Sequence, residues 1–522
     1  MKKILTILTN TFNFLETKDL ILIQVITLIT IFAWKDILYQ TPEGEAFIYF
    51  TPTYQLFDSL GNIELFYNID NFTRLFYFVF DKLFSYNMFP FMLGIFIGVI
   101  LINISLYIFA KLSTQSFAIA FLTSLYAGIN FQGNFQFYAR GHIHWFLQRV
   151  PEIIPMFISV LLLFHFLKTK KRSAYYLSLL FFILSLLTAH YATMITPFIP
   201  IYLTLYALKN SKNKHSILKT ISLSIPFLIV NYLLIKTNSL GDAVINSGNS
   251  FSSFLLNSSD LLKKILFQLT SLTLPFPLIN LFTKITKTDS ANIVTILFYP
   301  TLIFYLLIFY RLFKTKSKHF IFALSCFLTL LVTLFLNLFL GRFGNVYNQI
   351  AESRYYYLPA IYVGFIFAIT IDNLFSRFQS NHFINLKTVI ITCLSVLLIF
   401  MNIKPIWKKT HASQYRYTAL TKMFQYLSHS SQTFPPNSLI FIPNPPGPNT
   451  IPYLEKKFGS KNTTYFYFDP NWQPKLPSDT DPNKVFVLSY SDEFKKGGGA
   501  DLSQIHVIDQ SKLYREQLIQ KK

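Results

Sequence analysis

Long uninterrupted runs of apolar residues constrain the fold of this chain more than any other feature of its sequence. Two of them extend from Phe89 to Ala110 and from Phe320 to Leu340. About 20 apolar residues in a helix cross the hydrocarbon layer of a bilayer, so each run is long enough to span a membrane. With 52% hydrophobic and only 13% charged residues, the chain does not have the composition of a soluble globular protein. The sequence therefore predicts a polytopic membrane protein.

The apolar runs predict an all-α fold of about 11 transmembrane helices, followed by a small C-terminal extracytoplasmic α/β domain. The transmembrane domain is predicted to cover residues 1-403, with spans near 20-38, 88-110, 115-130, 151-167, 173-189, 191-208, 219-236, 291-311, 319-340, 355-375 and 387-403. In the C-terminal domain, residues 404-522, short β-type runs follow Pro435-Pro436. They lie at Leu439-Phe441, Thr464-Phe468, Val485-Tyr490 and Ile505-Ile508.

The net charge of +22 is carried largely by short basic clusters between the apolar runs. Cytoplasmic loops are enriched in lysine and arginine, and an orientation with the N-terminus inside puts all three main clusters in the cytoplasm. These clusters are Lys168/Lys170/Lys171/Arg172, Lys209/Lys212/Lys214/Lys219 and Arg311/Lys314/Lys316/Lys318. The basic residues form no stripe with interleaved aromatics, so the lipid bilayer, and no nucleic acid, is the expected partner. We expect a multi-pass protein of the plasma membrane.

In this orientation the long loops are external. They lie at 39-87, 131-150, 237-290 and 341-354, and the C-terminal domain is external as well. Within 237-290, apolar residues from Phe251 to Leu272 follow helical spacing, and Asp260, Lys263, Lys264 and Gln268 lie opposite them. This pattern predicts either a helix lying in the membrane interface or a helix packed on the protein's own external loops.

Polar residues at the outer ends of the predicted spans are candidates for a functional site, because ionisable residues at membrane level are costly. The first group is Glu43-Gly44-Glu45, with Arg74 further along the same loop. A carboxylate fixed there could accept a proton from an incoming hydroxyl or amine. Glu-x-Glu is also a common pattern in solvated acidic loops, so both interpretations stay open.

The second group precedes the fourth span and contains Arg140, His142, His144, Arg149 and Glu152. Arginine binds phosphate oxygens bidentately, so this cationic spot could hold a lipid phosphate or pyrophosphate. It could instead anchor the chain at the interface, or Arg149 could simply pair with Glu152 one helical turn on. The two histidines have no obvious third ligand, and no metal site is predicted.

The third group is Arg354-Tyr355-Tyr356-Tyr357-Leu358-Pro359, where an external loop enters the tenth span. A tyrosine belt at the membrane interface explains the aromatic residues. It does not explain Arg354, because a charge so close to the apolar core needs compensation. A bound phosphate or a carboxylate such as Glu352 would supply it.

Together these segments resemble the GT-C superfamily of polyprenyl-phosphate-sugar-dependent membrane glycosyltransferases, in its protein O-mannosyltransferase-like branch. In that branch an acidic pair follows the first span, where this chain has Glu43 and Glu45. Three further segments resemble family motifs: 71-75, 145-152 and 354-359. The resemblance extends over roughly residues 1-430. The chain departs from the pattern in several places: Gly44 separates the glutamates, His190-Tyr191 stands where relatives often carry Lys-Glu, and the proline that follows the arginine in relatives is missing from 71-75. The tandem helical repeats of some relatives are also absent.

The resemblance implies an inverting transfer of a sugar from a polyprenyl-phosphate carrier to a protein or glycan acceptor at the outer face of the membrane. The lipid-linked sugar is the donor substrate, no cofactor is implied, and a divalent metal is left open. Glu45, or else Glu43, would be the general base. The residues implied to bind the lipid phosphate as it departs are Arg74, Arg140, His142, His144, Arg149 and Arg354.

Two interpretations from other classes compete with this one. A lipid-linked sugar flippase or transporter would predict ionisable residues at mid-membrane and broken helices in paired halves, whereas here the charges crowd the outer rim. A catalytically inactive GT-C-like scaffold would display the C-terminal domain for partner binding, because a shared fold does not fix a reaction.

Reporter fusions after residues 60 and 430 test the orientation. We expect alkaline phosphatase to be active and green fluorescent protein to be dark at both positions, because the basic clusters hold the intervening loops inside. Fusions after residues 170 and 316 serve as controls and should show the opposite pattern. Cytosolic fluorescence at position 60 or 430 would contradict the external position of the loops.

Overall fold

A computed structural model describes much of the membrane part of the chain and the strands of its C-terminal part. The described residues are 16–39, 79, 83–84, 89–129, 144–188, 195–211, 213–237, 258–274, 276–339, 357–375, 386–411, 426–427, 434–435, 438–443, 464–468, 485–490 and 505–509.

The helices follow the apolar runs of the sequence. In chain order they are α1 (Thr17–Trp34), α2 (Phe89–Thr114), α3 (Phe117–Ile129), α4 (His144–Thr169), α5 (Arg172–Thr188), α6 (Phe198–Asn210), α7 (Lys214–Ser222), α8 (Ile225–Thr237), α9 (Ser258–Thr273), α10 (Phe276–Thr286), α11 (Ser290–Ile296), α12 (Phe298–Lys314), α13 (Phe320–Phe339), α14 (Tyr357–Phe375) and α15 (Leu386–His411). A short 3-10 helix, Lys35–Tyr39, continues from α1.

Six helical segments are long and apolar enough to cross a membrane, and the number rises to eight if each of two bent helix pairs counts as one span. The six are Thr17–Trp34, Met92–Thr114, Val150–Thr169, Lys214–Leu233, Tyr357–Phe375 and Leu386–Trp407. The bent pairs are α9 with α10 and α11 with α12. Among the described residues the protein is thus a predominantly helical membrane protein with six to eight candidate spans.

Each of the eleven predicted spans contains a helix, but only seven meet this length and polarity requirement: the six segments above and the α11–α12 pair. The helices of the other four predicted spans, α3, α5, α6 and α13, do not meet it. The eighth candidate, α9 with α10, lies in the segment 237-290, for which a single helix on an external surface was expected. The chain there bends by 108° between the two helices. Pro275 and Pro277 explain the break, because proline does not continue a helix.

The helix α9 does not keep one polar face toward water along its whole length. Every residue from Phe267 to Thr273 is buried, including Gln268, which the helical spacing had assigned to the polar face. The Phe267 ring meets that of Phe298 at the start of α12, and the Thr273 hydroxyl lies 3.0 Å from that of Tyr305 further along α12. These contacts are six residues apart on α9 and seven residues apart on α12, so the two helices run side by side for roughly 10 Å.

The helices α3 and α14 pack closely because small residues lie at their contact. A Cβ added at Gly364 would lie 3.1 Å from Cδ1 of Tyr126 and 3.5 Å from the carbonyl oxygen of Thr123. Lipid tails are as apolar as leucine, so helices in a membrane associate through such close packing and through interhelical hydrogen bonds. A larger residue at 364 would therefore push the two helices apart.

A hydrogen-bonded cluster joins α1, α2 and α3. The indole of Trp34 donates to the carbonyl oxygen of Gly128 over 2.8 Å, and the Asn103 amide donates to the Thr30 hydroxyl over 3.2 Å. A Cβ at Gly128 would lie 2.6 Å from the Asn103 amide nitrogen, so glycine is needed for this approach. All four residues are buried.

Ion pairs tie helix ends together at one end of the bundle. Asp19, at the start of α1, is fully buried, accepts a hydrogen bond from the Tyr107 hydroxyl (2.7 Å) and lies 3.7 Å from Nζ of Lys111. Nζ of Lys111 also lies 2.9 Å from the centroid of the Phe117 ring. The start of α1 is therefore held against the last turns of α2, as antiparallel neighbours require.

A second set of polar contacts joins the α2–α3 turn to α14 and α15. The carboxylate of Asp372 accepts hydrogen bonds from Nζ of Lys387 (2.7 Å) and from the Ser116 hydroxyl (3.2 Å). The Thr315 hydroxyl, just after α12, donates to the side-chain oxygen of Asn373 over 3.2 Å. If successive helices alternate in direction, these helix ends all lie at the same end of the bundle. The contacts therefore join neighbouring helices at that end.

The four predicted strands are present in the C-terminal part of the chain and form one sheet. They are β1 (Leu439–Pro443), β2 (Thr464–Phe468), β3 (Val485–Tyr490) and β4 (Ile505–Asp509), in the order β2-β1-β3-β4. The first three are parallel, and β4 is antiparallel to β3 with Phe486 opposite Asp509. Ile440, Val485 and Leu488 are fully buried, so at least the two central strands carry an apolar core.

The chain divides into two compact units. The first comprises Met1–Trp34, Gly98–Gln136 and Gln148–Ile406, and it contains the ion pairs and helix contacts described above. The second comprises Lys35–Ile97, Phe137–Leu147 and Trp407–Lys522 and contains the sheet. Within the second unit, Nζ of Lys35 lies 5.4 Å from the centroid of the Trp407 ring.

Replacing Lys111 tests the buried ion pair. We expect Lys111→Met to lower the free energy of unfolding by about 3 kcal/mol, because it leaves the Asp19 carboxylate buried without its cation. Adding Asp19→Asn should restore most of that loss. Unfolding in mixed micelles with increasing dodecyl sulfate measures both changes.

The matched control is Lys387→Met, which breaks a pair whose side chains are each 16% exposed. Its effect should be about 1 kcal/mol or less, because a partly hydrated pair contributes little. Equal losses for Lys111→Met and for the double variant would contradict a dominant role of the buried charge.

Candidate functional site

Most of the candidate residues found in the sequence lie outside the described residues. These are Glu43, Glu45, Arg74, Arg140, His142 and Arg354. Their roles therefore stay predictions, and two described helices, α4 and α14, begin beside the second and third groups.

The second candidate group extends into the first turns of α4. This helix begins at His144, seven residues before the predicted span, so His144 and Arg149 lie on a helix and only the residues before them lie in a loop. Helical spacing places Arg149 and Glu152 one turn apart on neighbouring positions of the same face. Glu152 is fully buried, and its carbonyl oxygen accepts a hydrogen bond from the Ser185 hydroxyl of α5 over 2.6 Å.

The third candidate group leads directly into α14. Tyr357, the first residue of this helix, is 4% exposed, and Leu358 and Pro359 are also buried. Proline is well suited to the first turn of a helix, where its missing N–H would have no helical partner. The segment that carries Arg354 is therefore followed by a helix that is buried from Tyr357 to Ile366.

An apolar cavity of about 30 Å³ lies inside the first unit, between α2, α4, α6, α13 and α14. Leu358, four residues after Arg354, and Met156, four residues after Glu152, both line it. The cavity is therefore next to the helical continuations of the second and third candidate groups. It has room for a small apolar group.

Aromatic residues make up half of the residues that line this cavity. The Phe109 ring stacks on that of Phe157 with centroids 4.5 Å apart and meets the Phe365 ring edge-on at 5.8 Å. The Phe322 ring meets Phe365 at 5.1 Å and Phe198 at 5.6 Å, both edge-on. Such offset and edge-on pairs fix the rings in place, so the cavity has a rigid wall.

Two groups capable of polar interactions, Tyr362 and Cys326, are found among the residues lining the cavity. Both are buried, and the Tyr362 hydroxyl has no hydrogen-bond partner among the described residues. A buried hydroxyl without a partner is unfavourable by about 1 to 3 kcal/mol. The surface that faces the cavity is wholly apolar, so the Tyr362 hydroxyl lies behind the wall and does not face the cavity.

The segment α9 contains a group of buried polar side chains that the sequence did not single out as a site. Gln268 and Thr270 are fully buried, and neither the Gln268 amide nor the Thr270 hydroxyl has a hydrogen-bond partner in the described part of the chain. Helical periodicity identifies the polar face of α9, but it cannot tell whether water or other helices meet that face. The burial of Gln268 was therefore beyond what the sequence pattern could predict.

Within the described ranges, no three His, Cys, Asp or Glu side chains come together as metal ligands would. Comparisons with known proteins do not assign the chain to a family. No family model matches it, and no curated protein matches it either.

Two tyrosines provide a test of the hydrogen bonding in this region. We expect Tyr362→Phe to leave the free energy of unfolding unchanged or to raise it by up to about 1 kcal/mol, because it removes a buried hydroxyl that has no partner. Tyr305→Phe is the matched control, and it should lower stability by about 1 kcal/mol, because the Tyr305 hydroxyl is paired with that of Thr273. Unfolding in mixed micelles measures both, and an equal loss in the two variants would show that Tyr362 has a partner.

Proposed function

We propose that the chain is a membrane glycosyltransferase of the GT-C type, which moves a sugar from a polyprenyl-phosphate carrier to an acceptor at the outer face of the membrane. The observation that carries the proposal is the position of the segment Arg354 to Pro359, which runs into a helix that is buried from Tyr357 and lines an apolar cavity. Cationic groups beside an apolar recess are what a lipid phosphate needs, because its headgroup is anionic and its tail is a hydrocarbon.

The two candidate helices support this proposal independently. Leu358 on α14 and Met156 on α4 line the same cavity, and each lies one helical turn beyond a segment with a candidate arginine. A cavity of about 30 Å³ holds only a small part of an isoprenoid, so most of the tail would lie in the surrounding lipid. The cavity would bind one apolar group of the carrier close to its phosphate.

The proposed reaction is a single displacement at the anomeric carbon of the sugar. Glu45, or else Glu43, takes the proton of the acceptor hydroxyl, and the acceptor oxygen forms the new bond to that carbon. The bond to the phosphate oxygen breaks on the opposite face, and its electron pair leaves with the lipid phosphate. Single displacement inverts the configuration of the anomeric carbon.

The departing lipid phosphate gains negative charge as this bond breaks. Guanidinium groups aimed at it would stabilise the transition state more than the ground state, which is how such groups accelerate a reaction. The residues proposed for this role are Arg74, Arg140, Arg149 and Arg354, with His142 or His144.

The proposed function requires a specific membrane topology as well as a set of apolar helices. All eleven predicted spans cross the plasma membrane, the N-terminus lies inside, and the C-terminal α/β domain lies outside. On this topology both ends of the segment 237-290 are external. The bent pair α9–α10 is then a re-entrant element that enters the membrane and returns to the outer side.

A second candidate function, a flippase or transporter for a lipid-linked sugar, is favoured by one observation. The bend of 108° after α9 and the buried polar side chains beside it resemble the broken helices that line transport sites. The two functions differ in product, because a flippase changes the leaflet of the lipid-linked sugar and forms no glycosidic bond.

Glu45→Gln and Arg354→Ala test the transferase. In proteoliposomes containing polyprenyl-phosphate-linked mannose, glucose or galactose, we expect the transfer rate to fall by about 100-fold or more for Glu45→Gln, because the general base is lost. Arg354→Ala should lower it by about 100-fold, because a group that stabilises the leaving phosphate is lost. Radiolabelled product is measured after extraction of the unreacted lipid.

The control is Lys316→Ala, which removes a charge from the predicted cytoplasmic cluster and should leave the rate unchanged. Unchanged rates in the two site variants would remove the proposed roles of Glu45 and Arg354. Movement of the labelled lipid between leaflets without any new glycosidic bond would favour the flippase.

A further inference from the structure

The inner half of α9 turns a polar face into the protein. Gln268 and Ser271 share this face and are both fully buried, whereas Leu262, earlier on the helix, is 59% exposed. The helices α12, α13 and α14 pack against α9. The polar face that an external helix would leave in water is here enclosed by the bundle.

Gln268 differs from Ser271 and Thr273, and it shares with Thr270 a polar side chain that has no hydrogen-bond partner among the described residues. The Ser271 hydroxyl donates to the carbonyl oxygen of Gln268, and the Thr273 hydroxyl donates to that of Leu269, so both are satisfied by their own helix. The Gln268 amide has two polar atoms, and neither has a hydrogen-bond partner among the residues that the structure describes. A buried amide without partners is strongly unfavourable, most of all inside a membrane, where water does not compensate it.

We infer that Gln268 binds a hydroxyl group of the sugar that the carrier lipid holds. The inference rests on the proposed function and adds to it a residue that recognises the sugar itself. An amide offers one donor side and one acceptor side, and a sugar hydroxyl both donates and accepts. The ester carbonyls of a phospholipid only accept, so they would satisfy half of the amide.

The break after Thr273 would allow the ligand to reach Gln268. Gln268 is enclosed in the present structure, so a sugar can reach it only if the inner half of α9 shifts on its neighbours. Because α9 and α10 are separate helices joined at a bend of 108°, such a shift need not move α10 with it.

Gln268→Met tests the inference, since methionine keeps most of the volume and removes both polar atoms. Full-length protein is placed in phosphatidylcholine nanodiscs, and tryptophan fluorescence follows the binding of two probes: bare polyprenyl phosphate and polyprenyl-phosphate mannose. We expect the wild-type protein to bind the mannose-bearing carrier more tightly than the bare one. In Gln268→Met the affinity for the mannose-bearing carrier should fall about 10-fold, with no change for the bare carrier.

Ser271→Ala is the matched control, because it alters the same face at a hydroxyl already bonded within its helix, and it should bind both probes as the wild type does. The melting temperature without ligand is the second measurement. It should stay the same or rise in Gln268→Met, because an unsatisfied amide is removed. A rise without any change in binding would show that the amide serves no ligand or holds only an ordered water, and would overturn the inference.

A fall in the melting temperature of unliganded Gln268→Met would also overturn it, because the amide would then have an internal partner. Binding of both carriers by the wild type with the same preference in Gln268→Met would overturn the inference alone and leave the proposed function intact. Failure of the wild-type protein to bind either carrier would overturn the proposed function, and the inference with it.

Discussion

Buried polar contacts at one end of the helix bundle determine how the rest of the membrane part is arranged. Helices in lipid gain nothing by hiding apolar surface from one another, so hydrogen bonds, ion pairs and close packing decide which helices are neighbours. Asp19 holds α1 against α2 through Tyr107 and Lys111, and Asp372 holds α14 against α15 and the α2–α3 turn. These contacts fix one end of each of these helices. Close packing at Gly128 and Gly364 then sets the distance between neighbouring helices.

Both satisfied and unsatisfied polar groups are buried inside the bundle. The carboxylates of Asp19 and Asp372 each have a cation and a hydroxyl as partners, which is the arrangement expected of structural contacts in a medium of low polarity. Tyr362 and Gln268 are also buried but have polar atoms without a partner among the described residues. Such atoms are unfavourable, and the proposed sugar ligand would pair those of Gln268.

Hydropathy predicted the helices well, because a bilayer requires each spanning segment to satisfy its own backbone and expose an apolar surface. Short β-type runs between turn residues predicted the strands β1 to β4 equally well. The sequence could not predict that Asp19 pairs with Lys111, since nothing local links positions so far apart in the chain. The helical spacing correctly placed Gln268 on the polar face of α9, but this face was expected to be exposed and is buried. Periodicity defines the face of a helix, whereas tertiary packing decides what covers that face.

The bent pair α9–α10 also bears on the choice between transfer and transport. A transporter that alternates between two sides uses equivalent broken helices in two related halves, so that the site can open to either side. Among the described residues the sharp break occurs once, and the milder bend of 45° between α11 and α12 lies in the next helices along the chain and not in a second half. In the proposed topology the α9–α10 pair is re-entrant, and its bend opens to one side of the membrane only. One-sided access is sufficient for an enzyme that receives its lipid substrate and releases its product at the same face, whereas a flippase would need a second way out.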